Sequence, residues 1–272
     1  MENLEKQLKV DTDPKERVKG MGSGNKSFFL SCLIFWVGYV FAYGKIDNRN
    51  ELLFFFDKIE AKGDIDVFVR KGEKRGKISI FADTQIIDSV VARVSRKTLF
   101  LDANNSYSFQ RRIPFVKINA TRKFPVEIMV SVNDLSEIRI YQGANVTCKE
   151  FSSSDLKVFH SGSGQVFLDD IHAQKLQFQQ VGSGNSILRG NKISDLEVNI
   201  EGGGNLKAGN LEINSAKVIH RGIGMVEINP IHWLDARMHS SGPILLYQEP
   251  EKMVVEQTGT GEIKFLFQQS ER

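Results

Sequence analysis

Cysteine and proline are both scarce in this sequence, and each scarcity narrows the class of protein. The 272 residues include two cysteines, Cys32 and Cys148, and six prolines. Two cysteines do not form a disulfide framework, and we expect no bond between them because Cys32 lies in an apolar segment outside the repeats. Neither the cysteines nor the histidines have the spacing of a metal site, so we predict no metal and no cofactor. Scarce proline favours regular β structure.

One glycine-containing motif recurs every twenty residues between Leu156 and Met253 and organises the chain. Most copies contain a first glycine and a second glycine two positions later, although Ile244 takes the second place in the fifth copy. The first glycines are Gly162, Gly182, Gly202, Gly222 and Gly242, the second are Gly164, Gly184, Gly204 and Gly224, and weaker copies contribute Gly143, Gly259 and Gly261. A fixed period of this length is typical of a solenoid.

Apolar residues recur with the glycines and alternate with polar ones, which is the pattern of a β-strand. Six positions after the first glycines come Leu168, Leu188, Ala208, Ile228 and Gln248. About 20 residues are too few for a helical hairpin but suit a coil of two or three short strands. We therefore predict an all-β fold, a single-stranded parallel β-helix or solenoid with coils of about 20 residues. We predict that the glycines lie at a corner of each coil, where a positive φ or a close approach of backbone disfavours a Cβ.

The N-terminal 44 residues have two parts, and neither belongs to the repeats. Residues 1–26 are polar and mixed in charge, which predicts a flexible tail. Residues 27–44 carry no charge, and a helix there is either a transmembrane anchor, a signal segment cleaved near Ala42 to Gly44, or a buried core element. The basic residues before this segment predict a cytoplasmic tail, with the repeats on the other side of the membrane.

Short alternating segments lie between the apolar segment and the repeats. Residues 45–58 have the character of a linker, and the solenoid domain is predicted over 59–267. A glycine-containing turn separates residues 64–69 from 77–81, which predicts a hairpin. Further strands are predicted at 90–94, 98–101, 115–120 and 126–132, and the solenoid proper is predicted to start at 135–143.

These features resemble a known family. The segment Gly63-Asp64-Ile65-Asp66-Val67-Phe68-Val69 precedes units of the form Leu-x-x-x-x-x-Gly-Ser-Gly. They are Leu156 with Gly162-Ser163-Gly164, Leu176 with Gly182-Ser183-Gly184, and Leu196 with Gly202-Gly203-Gly204. Over residues 55–267 the sequence is similar to the auto-transporter adhesin head domain called the GIN domain. The resemblance implies an exported bacterial β-solenoid without catalytic residues, although Ile223 and Pro243-Ile244 depart from the pattern in the last turns.

Export and the resemblance together predict the location. We expect the bacterial inner membrane, contacted through residues 27–44, with the solenoid outside the cytoplasm. The alternative is secretion to the periplasm or cell surface after signal cleavage.

Several residue patterns resemble binding or catalytic motifs, but we interpret each of them as structural. The Gly-x-Gly pairs do not predict phosphate binding, because they recur in every coil and no helix follows. Calcium-binding repeats need an aspartate that Gly202-Gly203-Gly204-Asn205 lacks. Asp155, Lys175 and Asp195 fall in register, which indicates a charge-compensated ladder on a solvent face rather than a catalytic cluster.

Two pairs of histidines occupy equivalent positions, His160 with His220 and His172 with His232. Members of a pair are three coils apart, on the order of 14 Å, whereas zinc ligands lie about 2 Å from the ion. We therefore expect solvated or edge histidines.

Strong charge of one sign is missing as well, since the formal net charge is +3. One basic cluster interleaves with phenylalanines and comprises Arg111, Arg112, Lys117, Arg122 and Lys123, with Phe109, Phe115 and Phe124. An exported location argues against nucleic acid as the partner, so an anionic lipid or glycan is the remaining interpretation, while alternation favours core positions for the phenylalanines.

The sequence predicts a non-enzymatic, adhesin-like module that binds glycan, envelope polymer or protein on a flat polar face of the solenoid. One alternative is a membrane-linked sensor or scaffold that uses the cytoplasmic tail. Another is a glycan-active β-helix enzyme, which would need clustered carboxylates on adjacent coils. The oligomeric state stays open, although exposed end strands are prone to pairing.

Overall fold

The computed structural model describes residues 45–72, 76–113 and 116–266, with side chains described outside 106–122. The tail predicted for 1–26 and the apolar segment 27–44 lie outside the described residues. Within the described part of the chain, no helix has the length and apolar character that crossing a membrane requires.

The described chain is all-β and forms a β-solenoid of about six turns. Its only helical element within those residues is a 3-10 turn at Ile87–Ser89. The strands are β1 Ile46–Leu52, β2 Lys58–Gly63, β3 Asp66–Lys71, β4 Lys77–Asp83, β5 Val91–Ser95, β6 Thr98–Ala103, β7 Ser106–Ile113, β8 Val116–Lys123, β9 Val126–Val132, β10 Glu137–Gln142, β11 Asn145–Gly162, β12 Gln165–Gly182, β13 Asn185–Leu188, β14 Lys192–Gly202, β15 Leu206–His220, β16 Val226–Met238, β17 Ile244–Leu246, β18 Lys252–Gln257 and β19 Ile263–Phe265. The strands predicted from sequence at 90–94, 98–101, 115–120 and 126–132 are confirmed as β5, β6, β8 and β9.

Each regular coil has three sides, which β12 illustrates. Residues 165–169 form side 1, residues 171–173 form side 2, and residues 175–182 form side 3. Asp170, between sides 1 and 2, has a φ of 53° and turns the chain. Neighbouring coils pair with these sides in parallel at a twenty-residue spacing, as the repeat predicts.

The core is a set of apolar columns that run along the solenoid. One column contains Leu156, Leu176, Leu196, Ala216 and Leu234 in consecutive coils. All five are buried, and each buried leucine contributes about 2 kcal/mol of hydrophobic free energy. Alternation with polar residues therefore fixes which surface of each strand faces inward.

Coils at the N-terminal end combine strands that are distant in sequence. Side 3 continues from β10 to β2 and then to β6, all parallel. Side 1 continues from β11 to β3 and then to β9, also parallel. Antiparallel strands complete both sides, with β5 beside β6, β4 beside β9, and β1 beside β4.

The hairpin predicted from residues 64–69 and 77–81 is wrong. β9 lies between the two strands, because Met129 is opposite Phe68 of β3 on one edge and opposite Ser79 of β4 on the other. Two alternating segments joined by a glycine turn are the usual hairpin pattern. The insertion of a later strand between them depends on long-range pairing that this local pattern does not contain.

The linker predicted for residues 45–58 is also wrong, since it contains β1 and the first residue of β2. Arg49 lies opposite buried Ile80 of β4, and its guanidinium donates hydrogen bonds of 2.7 Å to the carbonyls of Ile87 and Val90. It also pairs with Glu51 at 2.7 Å. Charges at this position suit an edge strand, because they discourage a further strand from pairing there. They also interrupt the alternation of apolar and polar residues, so the sequence pattern does not identify the strand.

The twenty-residue spacing shortens between β15 and β16. Ala208 is opposite Ile228, whereas His220 is opposite Met238, so a net two residues are lost over two register shifts between Ala208 and Ser215. As a consequence Leu246, and not the predicted Gln248, continues the column of Ile228. The departures from the family's glycine pattern at Ile223 and Pro243-Ile244 thus occur where the coils are shorter than twenty residues.

Candidate functional site

The glycines predicted at corners lie at the bend that follows side 3, where two columns of residues stack along the solenoid. The first column is Gln142, Gly162, Gly182, Gly202, Gly222, Ser240 and Gly259, and the second is Ala144, Gly164, Gly184, Gly204, Gly224, Gly242 and Gly261. Gly143 lies between the columns. The lost residues move Gly242 into the second column, where a Cβ would approach the Gly224 carbonyl.

Close stacking of backbone explains the first column. Gly182 has a φ of 120°, and a Cβ on it would lie 2.5 Å from the carbonyl oxygen of Gly162 in the preceding coil. That conformation and that distance both disfavour a side chain. The amide of Gly184 donates to the same carbonyl at 2.9 Å, so the corner is held by backbone hydrogen bonds between coils.

Polar side chains of side 3 contact three backbone carbonyls of the second column. Gln180 Nε2 donates to the carbonyl of Gly184 at 2.9 Å, and Gln257 Nε2 donates to that of Gly261 at 2.7 Å. His220 Nε2 lies 2.8 Å from the carbonyl of Gly224. A residue four positions before each of these glycines thereby satisfies a carbonyl that the bend leaves without a strand partner.

The expectation that His160 and His220 lie at the surface is wrong. Their exposed fractions are 0% and 1%, because both occupy the inward phase of side 3 beneath the corner. His172 and His232 are exposed, as predicted, with 45% and 51% of their side chains accessible. Alternation in the sequence places residues 160 and 220 on the inward surface, but their polar contacts are visible only in the fold. His220 contacts the Gly224 carbonyl, whereas His160 Nδ1 lies 3.2 Å from Ser186 Oγ and its Nε2 has no hydrogen-bond partner among the described residues.

Burial sets the charge state of the two inward histidines. Desolvation lowers the pKa of His160 and of His220 below the ordinary value of 6.5, because the charged imidazolium is disfavoured away from water. The His220 ring donates from Nε2 and accepts the Gly222 amide at Nδ1, 3.2 Å away. These contacts match a neutral imidazole.

The outer surface of side 3 carries an open groove of about 480 Å³, which we call the side-3 groove. It crosses β10, β11, β12 and β14. Its outward-facing residues are Glu137, Arg139, Tyr141, Lys157, Phe159, Gln177, Gln179, Glu197 and Asn199. The parallel register sets Arg139, Phe159, Gln179 and Asn199 in one row across the four strands, with steps of about 4.8 Å.

Two aromatic rings lie at one end of the side-3 groove. The rings of Tyr141 and Phe159 have centroids 5.7 Å apart and planes inclined at 55°. Both residues occupy the polar, outward phase of the alternation, and neither was singled out from the sequence. A large aromatic residue between two inward positions is the signal that could have identified them.

Amide and amino groups follow the rings along the groove. Within the described chain, the side chains of Gln179 and Lys157 form no hydrogen bond or ion pair, so their donors face solvent. Gln177 donates to Glu197 at 3.0 Å. Flat aromatic surface beside free donors is an arrangement that binds ligands with both apolar and hydroxyl-bearing faces.

The charges of the groove largely compensate one another. Arg139 pairs with Glu137 at 2.7 Å, and Glu137 also lies 3.5 Å from Lys58. The hydrogen bond with Glu137 raises the pKa of Arg139 above its ordinary value. Paired charges of this kind leave no strong field for a highly charged ligand.

The carboxylates of the groove are not placed as a catalytic pair. Glu137 and Glu197 are separated by three strand steps, about 14 Å, whereas glycosidase carboxyl groups lie roughly 5 to 9.5 Å apart. Elsewhere in the described residues, no group of three or more His, Cys, Asp and Glu side chains could hold a metal ion. Cys148 is buried, and burial raises the pKa of its thiol to about 12.

The structure also locates the charged patterns noted in the sequence. Asp155, Lys175 and Asp195 stand in register as predicted, although Lys175 Nζ pairs with Glu197 at 3.9 Å. The basic cluster falls on the β7–β8 pair, whose side chains are described only at Lys123, which pairs with Asp64 at 2.6 Å. Phe124 is buried, as the alternation predicts.

The stacked coils and the outward groove define a β-solenoid whose long flat side carries a surface suited to binding. The model of the family described as "Putative auto-transporter adhesin, head GIN domain" matches residues 55–250. The chain therefore belongs to this family, and the resemblance predicted from the repeated glycine units is confirmed.

Solved structures share the fold at low sequence identity. A putative adhesin from Bacteroides fragilis is 22% identical with a TM-score of 0.71, and the alignment covers 82% of this chain and 98% of that one. A putative lipid binding protein from Parabacteroides distasonis is 17% identical, with a TM-score of 0.61 and coverages of 82% and 97%. A putative adhesin from Parabacteroides merdae is 18% identical, with a TM-score of 0.54 and the same coverages. A search of curated proteins found no match.

Proposed function

We propose that this protein is a non-enzymatic, adhesin-like module that binds glycan chains along the side-3 groove. The observation that carries the proposal is the Tyr141 and Phe159 ring pair beside the free donors of Gln179 and Lys157. A sugar ring has apolar faces that stack on aromatic rings and hydroxyl groups that accept from amide and amino donors. The adhesin names of structural neighbours are in keeping with such a role.

Several features of the groove favour an extended ligand over a compact one. The row of outward residues crosses four parallel strands, a distance of about 14 Å, which accommodates more than one sugar unit. The groove is open to solvent along this length, so a polymer can enter sideways and continue beyond it. Compensated charges favour neutral or weakly charged glycans.

The binding test compares two partly exposed phenylalanines on the same side of the solenoid. Phe159→Ala removes a groove ring, and we expect retention of the full-length protein on peptidoglycan sacculi or on arrayed polysaccharides to weaken about tenfold, the equivalent of one lost stacking contact. Phe100→Ala is the matched control, because Phe100 faces outward on β6, where it contacts Arg93 instead of the groove. If the wild-type protein binds no glycan, or if both variants bind equally, this function is wrong.

For location, we propose that the module is exported and held at the bacterial inner membrane by residues 27–44. The uncharged stretch with basic residues before it supports this orientation. The test is fractionation with N-terminal sequencing of the protein produced in a bacterial host. An intact chain in the membrane pellet is expected, whereas a soluble chain beginning near Lys45 would show signal cleavage instead.

A further inference from the structure

The two ends of the solenoid differ in how they finish. At the N-terminal end, the outermost strands β1 and β5 are antiparallel to their neighbours, and β1 carries the charged pair of Arg49 and Glu51. At the C-terminal end, β18 pairs with β16 on one edge only among the described residues. All six residues of β18 are exposed, so an unpaired row of backbone donors and acceptors faces solvent there.

The last coil also leaves apolar side chains of the core uncovered. Met253 and Val255 stack on Leu234 and Ala236 in the inward phase, yet they are 41% and 40% exposed. Val254, in the outward phase, is 56% exposed. An exposed edge strand that carries apolar side chains is a template for pairing with another strand.

The sequence of β18, Lys-Met-Val-Val-Glu-Gln, is complementary to itself when it is reversed. A two-fold axis perpendicular to the sheet through Val254 sets Lys252 opposite Glu256 of a second copy. The same axis sets Met253 opposite Val255 and Val254 opposite its own equivalent. Inward residues then meet inward residues, and the positive charge meets the negative one. Within the described chain Lys252 has no ion pair, whereas Glu256 lies 3.7 Å from Arg237 and keeps a free oxygen for a second partner.

We propose that β18 is a homodimer interface, at which two copies of this chain join end to end through antiparallel pairing centred on Val254. The pairing satisfies the free backbone edge and covers Met253 and Val255 of both copies. It is isologous, so it closes as a dimer and does not continue as a filament. Side 3 of the two copies forms one continuous sheet across the junction.

The dimer has a geometric consequence for binding. The axis is perpendicular to side 3, so both side-3 grooves face the same direction. Each groove centre lies between four and five strand steps from β18, which separates the two centres by about 50 Å once the step across the junction is included. A polymer that spans this distance engages both grooves and gains the avidity of a bivalent contact. The interface itself does not depend on the glycan-binding proposal.

Cysteine cross-linking of the full-length protein tests the register. In a Cys32→Ser background, Val254→Cys places two thiols directly opposite each other, at a separation that a disulfide can span. We expect a covalent dimer after mild oxidation. Val91→Cys is the matched control, an exposed valine on edge strand β5 at the other end, and we expect it to stay monomeric. Adding Lys252→Glu to Val254→Cys sets like charges opposite each other and should reduce the cross-linked fraction at least several-fold.

Three outcomes overturn the proposal. Equal cross-linking of Val254→Cys and Val91→Cys would indicate random collision or dimerisation through another part of the chain. A folded Val254→Cys protein that stays monomeric while its thiol reacts freely with iodoacetamide would show an open end. A monomer whose thiol resists iodoacetamide would show that other residues of the same chain cover β18.

Discussion

Single residues at the corner depend on one another across coils. Three second-column glycines, Gly184, Gly204 and Gly242, lie over polar side chains of the preceding coil, so each of them and the residue beneath it form one unit. A Cβ on Gly184 would come within 2.6 Å of His160 Nε2 and would also approach the Gly164 carbonyl. Gly203, one position before the next second-column glycine, has no such constraint.

We expect Gly184→Ala to lower the free energy of unfolding by about 3 kcal/mol, because a buried ring and a backbone carbonyl must both shift. Gly203→Ala is the control, since its Cβ would meet only Ile223 Cγ1 at 3.7 Å, and it should change stability by less than about 0.5 kcal/mol. Urea denaturation measures both. Equal midpoints for the two variants would contradict this account of the corner.

At the scale of elements, the placement of β9 decides how the first coils are built. β9 is parallel to β3 and antiparallel to β4, so it joins the parallel stack to the antiparallel strands at the N-terminal end. Its inward residues Ile128 and Val130 have 0% exposure. The N-terminal end of the solenoid therefore contains both parallel and antiparallel strand pairs, and the regular series of parallel coils ends there.

Disulfide formation distinguishes this arrangement from a β3–β4 hairpin. Cysteines at Ser79 and Met129 lie on adjacent strands, about 4.8 Å apart, within the Cα range of a disulfide. The control pair at Phe68 and Ser79 spans two strand steps, about 10 Å. We expect rapid intramolecular bonding in the Ser79→Cys/Met129→Cys variant and none in the control, by mass spectrometry of oxidised protein. A disulfide in the control and none in the Ser79→Cys/Met129→Cys variant would support a β3–β4 hairpin instead.

For the whole molecule, the neutral buried histidines link stability to pH. In the unfolded chain a histidine has a pKa near 6.5, and the folded pKa of His220 is lower. Below that unfolded pKa the unfolded state binds more protons, so stability is full above about pH 6.5 and declines as the pH falls toward the folded pKa.

We expect the thermal unfolding temperature to drop between pH 7.5 and pH 5, and His220→Gln to reduce that drop. Glutamine fits because Gln180, in an equivalent position, already donates to the carbonyl of Gly184. The variant should match the wild type at pH 7.5, where the histidine is neutral in both states. Scanning calorimetry at several pH values makes the comparison, and parallel curves for the two proteins would refute the linkage.

The sequence by itself determined the repeating part of this protein. Alternation and the twenty-residue glycine spacing were sufficient to predict an all-β solenoid, its core columns and its family, because each coil pairs with the next in register and repeats the same local constraints. Strands β5, β6, β8 and β9 were predicted for the same reason, since alternation is a local property.

Only the tertiary structure decided what depends on contacts between distant residues. The insertion of β9, the identity of β1 as an edge strand and the loss of two residues after Ala208 are all set by long-range pairing. The contact of His220 with the Gly224 carbonyl depends on a carbonyl that lacks a strand partner only once the corner has formed. Tyr141 and Phe159 form a groove because parallel stacking sets neighbouring coils about 4.8 Å apart, which brings together residues that the sequence keeps eighteen positions apart.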